Sequence, residues 1–295
     1  MLTAQRLIDH PIITPDIDDR PDDRSIGTNI NGPSLIRVPD WIDEPLGRYY
    51  LYFAHHQGDH IRLAFADELT GPWTLHPPGV LSLADTPFPK HIASPDVHVN
   101  HDDQQIEMIY HGCCIPDTPY EQEACYAHSA DGLSFTSHED FLAESYLRAI
   151  RIPDGWTGIA KGGRLYRARN LAGPWEPRGW CIDFSGRHFA GWCEDQTLHV
   201  IYSRWGDAPE RLLHATMDVS QPFDQWHLVD RHDLLAPERE WEGVSEPVRV
   251  SHPGSIHHKA HELRDPAVYE EDGRRYVLYS VAGEAGIGIA ELKEE

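Results

Sequence analysis

One pattern of strands keeps returning along this chain, and it limits the fold more than any other feature. An apolar strand opens at a small or acidic residue followed by proline. An aromatic-rich strand comes next, and a third short strand ends near Gly-Pro-Trp or a similar turn. The first copy reads Asn31-Gly32-Pro33-Ser34-Leu35-Ile36, then Arg48 to Phe53, then Ile61 to Ala66, with Gly71-Pro72-Trp73 as its close. The last copy reads Arg264-Asp265-Pro266-Ala267-Val268-Tyr269, then Arg275 to Ser280, then Gly286 to Ala290. Short-strand units recurring every roughly 40–50 residues predict a β-propeller, in which the first strand of each blade lines one axis.

Three further copies complete a five-bladed, all-β ring. The second opens at His91-Ile92-Ala93-Ser94-Pro95-Asp96-Val97-His98. The third opens near Tyr146 to Arg151 and closes on Gly173-Pro174-Trp175. The fourth uses His188 to Trp192, Leu198 to Ser203 and Leu212 to Thr216. Tyr-x-Tyr alternation and β-branched residues suit a pleated strand, and no segment keeps a helical period over three turns. A β-sandwich also has evenly spaced short strands, but it does not repeat whole multi-strand units. The fifth copy has only three strands before the chain stops, so its outer strand is expected from the N-terminus, around Leu7 to Ile13. That would pair both open edges of the ring. The sequence is thus read as a single domain over residues 1–295. One insertion, about 237–262, is too polar for core and too long for a turn, and it is expected to arch over the axial pocket.

Composition narrows the partners. With 48 acidic and 25 basic residues the formal charge is −23, a field that disfavours nucleic acid and anionic membranes. No run approaches the ~20 apolar residues of a membrane helix, and the first residues lack the apolar centre of a signal peptide, so a cytoplasmic protein is expected. Five cysteines without CxxC spacing suit reduced thiols; a vicinal Cys113–Cys114 bridge is the less favoured alternative. No HxH or HExxH pair signals a metal site, so no cofactor is expected; a single axial ion held by one histidine and waters is the other option left open.

At these residues the chain resembles the five-bladed β-propeller glycosidases, the group of arabinanases, β-xylosidases, arabinofuranosidases and fructosidases. Ala93 to His98 looks like that group's second-blade signature, and Arg264-Asp265-Pro266 like the Asp-Pro that opens one of its inner strands. The resemblance implies a small carbohydrate substrate and carboxylate acid/base chemistry. It also exposes a departure: where the group has a general-base Asp before the first-blade proline, this chain has Asn31-Gly32-Pro33. Either the carboxylates lie on other blades or the chemistry differs.

Glycoside hydrolysis needs two carboxylates with separated pKa values. The candidates are Asp265 and Asp96 at inner-strand openings, and Glu242 and Glu246 in the insertion, with His188 as a further acid or base. Arg148, Arg187 and Arg264 either grip an anionic sugar through the planar guanidinium fork or neutralise the buried acids. Asn31, His55, His98, His111 and Trp241 complete the expected binding surface. A glycoside hydrolase-like enzyme is the leading expectation. Its alternatives are a uronate-sugar lyase using His, Tyr and Arg, and a non-catalytic carbohydrate-binding propeller.

Overall fold

The computed structural model describes residues 1–17, 27–113, 121–183 and 185–294. It contains five four-stranded antiparallel sheets. The first blade consists of β2 (Asn31–Arg37), β3 (Tyr49–Ala54), β4 (His60–Ala66) and β5 (Thr74–Ser82). The second has β6 (Ile92–Asn100), β7 (Gln105–Cys113), β8 (Gln122–Ser129) and β9 (Thr136–Glu144). The third has β10 (Arg148–Ile152), β11 (Gly155–Ala160), β12 (Arg164–Ala168) and β13 (Glu176–Trp180). The fourth has β14 (Gly186–Glu194), β15 (Thr197–Arg204), β16 (Leu212–Asp218) and β17 (Val229–Leu235). The fifth joins β18 (Arg264–Glu271), β19 (Arg274–Ser280) and β20 (Ile287–Glu294) to β1 (Leu2–Arg6).

The ring is therefore closed by an N-terminal strand, but one lying before the expected Leu7 to Ile13. Leu2 to Arg6 pair with Glu294 to Ala290, and Leu2 is buried between the fourth and fifth blades. Pro11 has no N–H for a ladder. Past it, Ile12 and Ile13 pack instead between the fifth and first blades, tied by a single bridge from Ile13 to Ile287.

Among the described residues the apolar side chains form no single central core. Five hydrophobic clusters each fill one gap between neighbouring blades. Strand alternation explains how one sheet serves two clusters: Tyr50 and Tyr52 face the second blade, whereas Leu51 and Phe53 face the fifth. All six residues of β3 are consequently buried. Trp73 and Trp175, in the repeated closing turns, belong to these inter-blade clusters.

The axis is lined by the inner strands β2, β6, β10, β14 and β18. Four of them open with a break in register, between Asn31 and Ser34, Ala93 and Asp96, Gly186 and Phe189, and Arg264 and Ala267. Three of these breaks hold a residue at positive φ just before proline: Gly32 at 60°, Ser94 at 49° and Asp265 at 50°. Such bulges re-aim side chains at a barrel or ring mouth. Glycine is required at position 32 for a second reason: a Cβ there would stand 2.8 Å from the Ser94 Cα. Described cysteines 113, 125, 181 and 193 are unbridged thiols; Cys114 lies outside the described residues. Among the described residues no helix is long and apolar enough to cross a membrane.

Candidate active site

The bulges turn Asn31, Arg187, His188, Arg264 and Asp265 towards the end of the ring where the inner strands begin. Turns between the second and third strands of three blades add His56, Glu210 and Glu284 at the same end, and Tyr146 enters just before β10. Two carboxylate–histidine pairs result. Asp265 Oδ1 lies 2.6 Å from His188 Nδ1, and its Oδ2 accepts from Ser280 Oγ at 2.9 Å. Glu284 Oε2 lies 3.2 Å from His56 Nδ1 and accepts from Asn29 Nδ2 at 2.6 Å.

Electrostatics separate the partners. Burial opposes ionisation of Asp265, but His188, Arg187 and Arg264 outweigh it and hold the carboxyl far below the ordinary range. Burial lowers His188 despite the pull of Asp265. The pair is thus an ionised carboxylate facing a neutral imidazole. A carboxylate at that nitrogen favours the tautomer with its proton on Nδ1, which leaves Nε2 to accept. Burial also opposes ionisation of Glu284, yet His56 and Arg264 bring it down to about 2. His111 is held well below its usual value by burial and by His91. Its ring lies 4.2 Å from that of Tyr146. Burial, Asp265 and Glu284 push the Tyr146 phenol up.

The arginines of the mouth are matched by acids. Arg264 Nη1 donates to Glu284 Oε1 at 3.1 Å, while its Nη2 contacts Glu262 and lies 3.3 Å from Glu210 Oε2. Arg187 Nη1 is 3.5 Å from Glu210 Oε2. Of the two expectations for these side chains, neutralisation of buried acids describes the observed contacts.

Arg187 also donates to the carbonyls of His252 and Gly254 at 2.7 and 2.6 Å, and Asn29 Nδ2 donates to the carbonyl of Ile256 at 2.9 Å. The segment between β17 and β18 therefore lies across the mouth on main-chain oxygens.

Several predicted residues are elsewhere. Asp96, His98 and Arg148 line the opposite half of the axial channel, a cavity of about 340 Å³ bounded by all five inner strands. There Asp96 accepts from Arg148 Nη1 at 3.3 Å and from the Ala149 N–H at 2.7 Å, and contacts His98 Nε2 at 3.1 Å. Burial opposes its ionisation, but His98 and Arg148 hold it below the ordinary range. Arg148 also donates to the Pro95 and Pro33 carbonyls. The trio braces the first three blades, which corrects the placement of Asp96 beside Asp265 at one shared site.

Glu242 is corrected likewise. It is fully buried and its carboxylate is used up by Arg6 Nε and Nη2 at 2.7 Å each, the N–H groups of Glu238 and Arg239, and Tyr279 Oη. Glu246 is only partly buried and borders a cavity of about 280 Å³ shared with Arg264 and the insertion. Trp241 packs partly against the cluster between the fourth and fifth blades. His55 faces His257 at 6.1 Å, and burial together with Arg62 lowers it to about 4.

Tyr146, Glu210, Glu262 and Glu284 were absent from the sequence expectations. The available signal was the repeat itself: the strand-two to strand-three turns of the first, fourth and fifth copies each carry an ionisable residue. Among the described residues no group of three or more His, Cys, Asp or Glu side chains is arranged to hold a metal ion.

No protein-family model matches the chain. Uncharacterized protein R118 of Acanthamoeba polyphaga mimivirus is 29% identical over 299 residues, covering 90% of this chain and 83% of that one. Among solved structures, the chain is similar to CoXyl43, a GH43 β-xylosidase/α-arabinofuranosidase from a compost metagenome solved with xylotriose. The TM-score is 0.63 at 13% identity, over 99% of this chain and 96% of that one. It is also similar to the GH43_1 enzyme of Xanthomonas citri complexed with xylotriose, with TM-score 0.63, 13% identity, and 97% and 91% coverage. For an exo-1,5-α-L-arabinanase from a bovine ruminal metagenome the values are 0.56, 13%, 90% and 94%. At such identities the likeness is one of fold: the chain shares the five-bladed β-propeller of the GH43-type glycoside hydrolases.

Proposed function

We propose that this protein is a glycoside hydrolase-like enzyme that cleaves a small glycoside or oligosaccharide at the mouth where its inner strands begin. The observation that carries the reading is the meeting of two carboxylate–histidine pairs, Asp265–His188 and Glu284–His56, at that mouth. Each pair joins an ionised acid to an imidazole whose far nitrogen is left to exchange a proton, the division of labour that acid/base cleavage needs. Asp265 acts through His188, so the base presented to water is His188 Nε2. The xylotriose complexes of the proteins of like fold favour a short oligosaccharide as the first class to try.

The test is a screen of aryl glycosides and uronate oligosaccharides, following reducing ends and ultraviolet absorbance together, on the wild type and Asp265→Asn. New reducing ends without absorbance, reduced at least about a hundredfold by the substitution, support hydrolysis. Unchanged turnover in Asp265→Asn would sink the assignment.

A second reading is elimination from a uronate sugar. The amide of Asn31 where the family resemblance implies an acid favours it, together with the Tyr146 ring set between two histidines. It predicts absorbance that rises with the reducing ends. Binding with no product in either channel would point to a non-catalytic carbohydrate-binding propeller.

A further inference from the structure

The members of the mouth cluster are not equally accessible. The side chains of Asp265, His188 and Glu284 are 4%, 6% and 0% exposed. Tyr146 and His56 keep part of their surface open. Tyr146 stands at φ 59°, a left-handed conformation that a bulky aromatic residue adopts rarely and at a cost. The neighbouring backbone holds it there: the Ser145 N–H donates to the Gln122 carbonyl, and the Ser145 carbonyl accepts from the Lys161 N–H. The turn sets the phenol ring between His111 and His188, at centroid distances of 4.2 and 4.5 Å. Tyr146 Oη then lies 3.2 Å from His56 Nε2, and His56 Nδ1 lies 3.2 Å from Glu284 Oε2. A hydroxyl, an imidazole and an orienting carboxylate in series are the parts of a proton relay.

We propose that Tyr146 is the catalytic acid of this site, donating its phenolic proton to the departing oxygen of the substrate, with His56 and Glu284 restoring it. The inference rests on the glycoside-cleaving reading above. The Tyr146 O–H bond breaks as the C–O bond to the leaving group breaks. The proton goes to the leaving oxygen, which keeps the bonding electrons, and an alcohol departs. The tyrosinate takes a proton back through His56 Nε2, while Nδ1 of that ring faces Glu284. Water adds to the sugar carbon, and its proton goes to His188 Nε2. Solvent carries one proton from His188 back to His56, so the sum is glycoside plus water.

Two observations fit this role. Burial and the nearby carboxylates keep the phenol protonated until it is used. Tyr146, which keeps part of its surface open, also supplies a proton donor to a mouth whose carboxylates are enclosed and whose first blade opens with Asn31.

The deciding experiment compares Tyr146→Phe with wild type on two glycosides of one sugar. A methyl glycoside must have its leaving oxygen protonated; a 2,4-dinitrophenyl glycoside departs without help. We expect turnover of the methyl glycoside to fall at least about a hundredfold, and of the dinitrophenyl glycoside less than tenfold. Circular dichroism checks the fold, and phenylalanine preserves the ring contacts. Equal losses on both substrates, or no loss on either, would overturn the role of Tyr146 while leaving cleavage itself standing. A wild type inert towards every glycoside overturns the cleavage reading, and the acid role with it.

Discussion

The side-chain amide of Asn31 lies 3.3 Å from Glu284 Oε2, so the first blade takes its mouth carboxylate from the turn that joins β19 to β20. Asn31→Asp would place a second carboxylate in the same buried spot. Like charges there raise the pKa of at least one of them above its unfolded value of about 4. A raised acid contributes its stability only at low pH and loses it as pH rises through the folded pKa. The variant should match wild type near pH 4 and be weaker by about 2 kcal/mol at pH 7 in urea unfolding. A difference independent of pH would refute the shared site.

Glu284 itself gives the opposite slope. Its carboxyl titrates at about 2 when folded against 4.5 ordinarily. Its contribution is therefore present above about 4.5 and lost as pH falls towards 2, at most roughly 3 kcal/mol. Urea unfolding between pH 6 and pH 2.5 should fall less steeply for Glu284→Gln than for wild type. Parallel curves would show that this carboxyl is not depressed.

Glu242 is a structural clasp between the insertion and β1. Glu242→Gln leaves Arg6 buried against a neutral amide, and should cost about 3 kcal/mol. Turnover per folded molecule should not change. A catalytic loss at full stability would restore Glu242 to the site.

Arg148 and Asp96 form a buried pair remote from the mouth. Arg148→Met strands the Asp96 carboxylate and two carbonyls, and should cost about 3–5 kcal/mol. Adding Asp96→Asn should return part of this, giving a coupling above about 1 kcal/mol in a double-mutant cycle. Additive effects would mean the brace is not one unit.

The architecture was legible because inter-blade packing forces both faces of each sheet to be apolar, and that requirement repeats with the blades. Asp265, His188, Arg187 and Arg264 were legible for a related reason, since a bulge before the inner strand fixes which residue meets the mouth. Asp96 was misplaced by two residues. In the repeat it aligns with Ala267, past the proline, and at about 3.3 Å per residue that carries it down the channel instead of onto the mouth. His56, Glu210 and Glu284 sit on the same turn of three blades, but the turns differ in length, so the repeat marks the turn and not the residue. Tyr146 read as the first residue of a strand; its left-handed backbone depends on partners at Gln122 and Lys161, which a linear pattern does not contain.

The absence of a shared core has a consequence for how such a protein changes over time. Foundation and chemistry occupy different addresses: the hydrophobic clusters lie in the gaps between sheets, whereas the reactive groups ride on turns and strand openings at one rim. Exchanging the turn that bears Glu210 alters what the mouth can do without removing a residue of those clusters, whereas the turn that bears Glu284 also gives Val281 to the cluster between the fourth and fifth blades. A ring built this way can vary its mouth at the turns that lie outside the clusters, with each such trial insulated from the packing that keeps it folded.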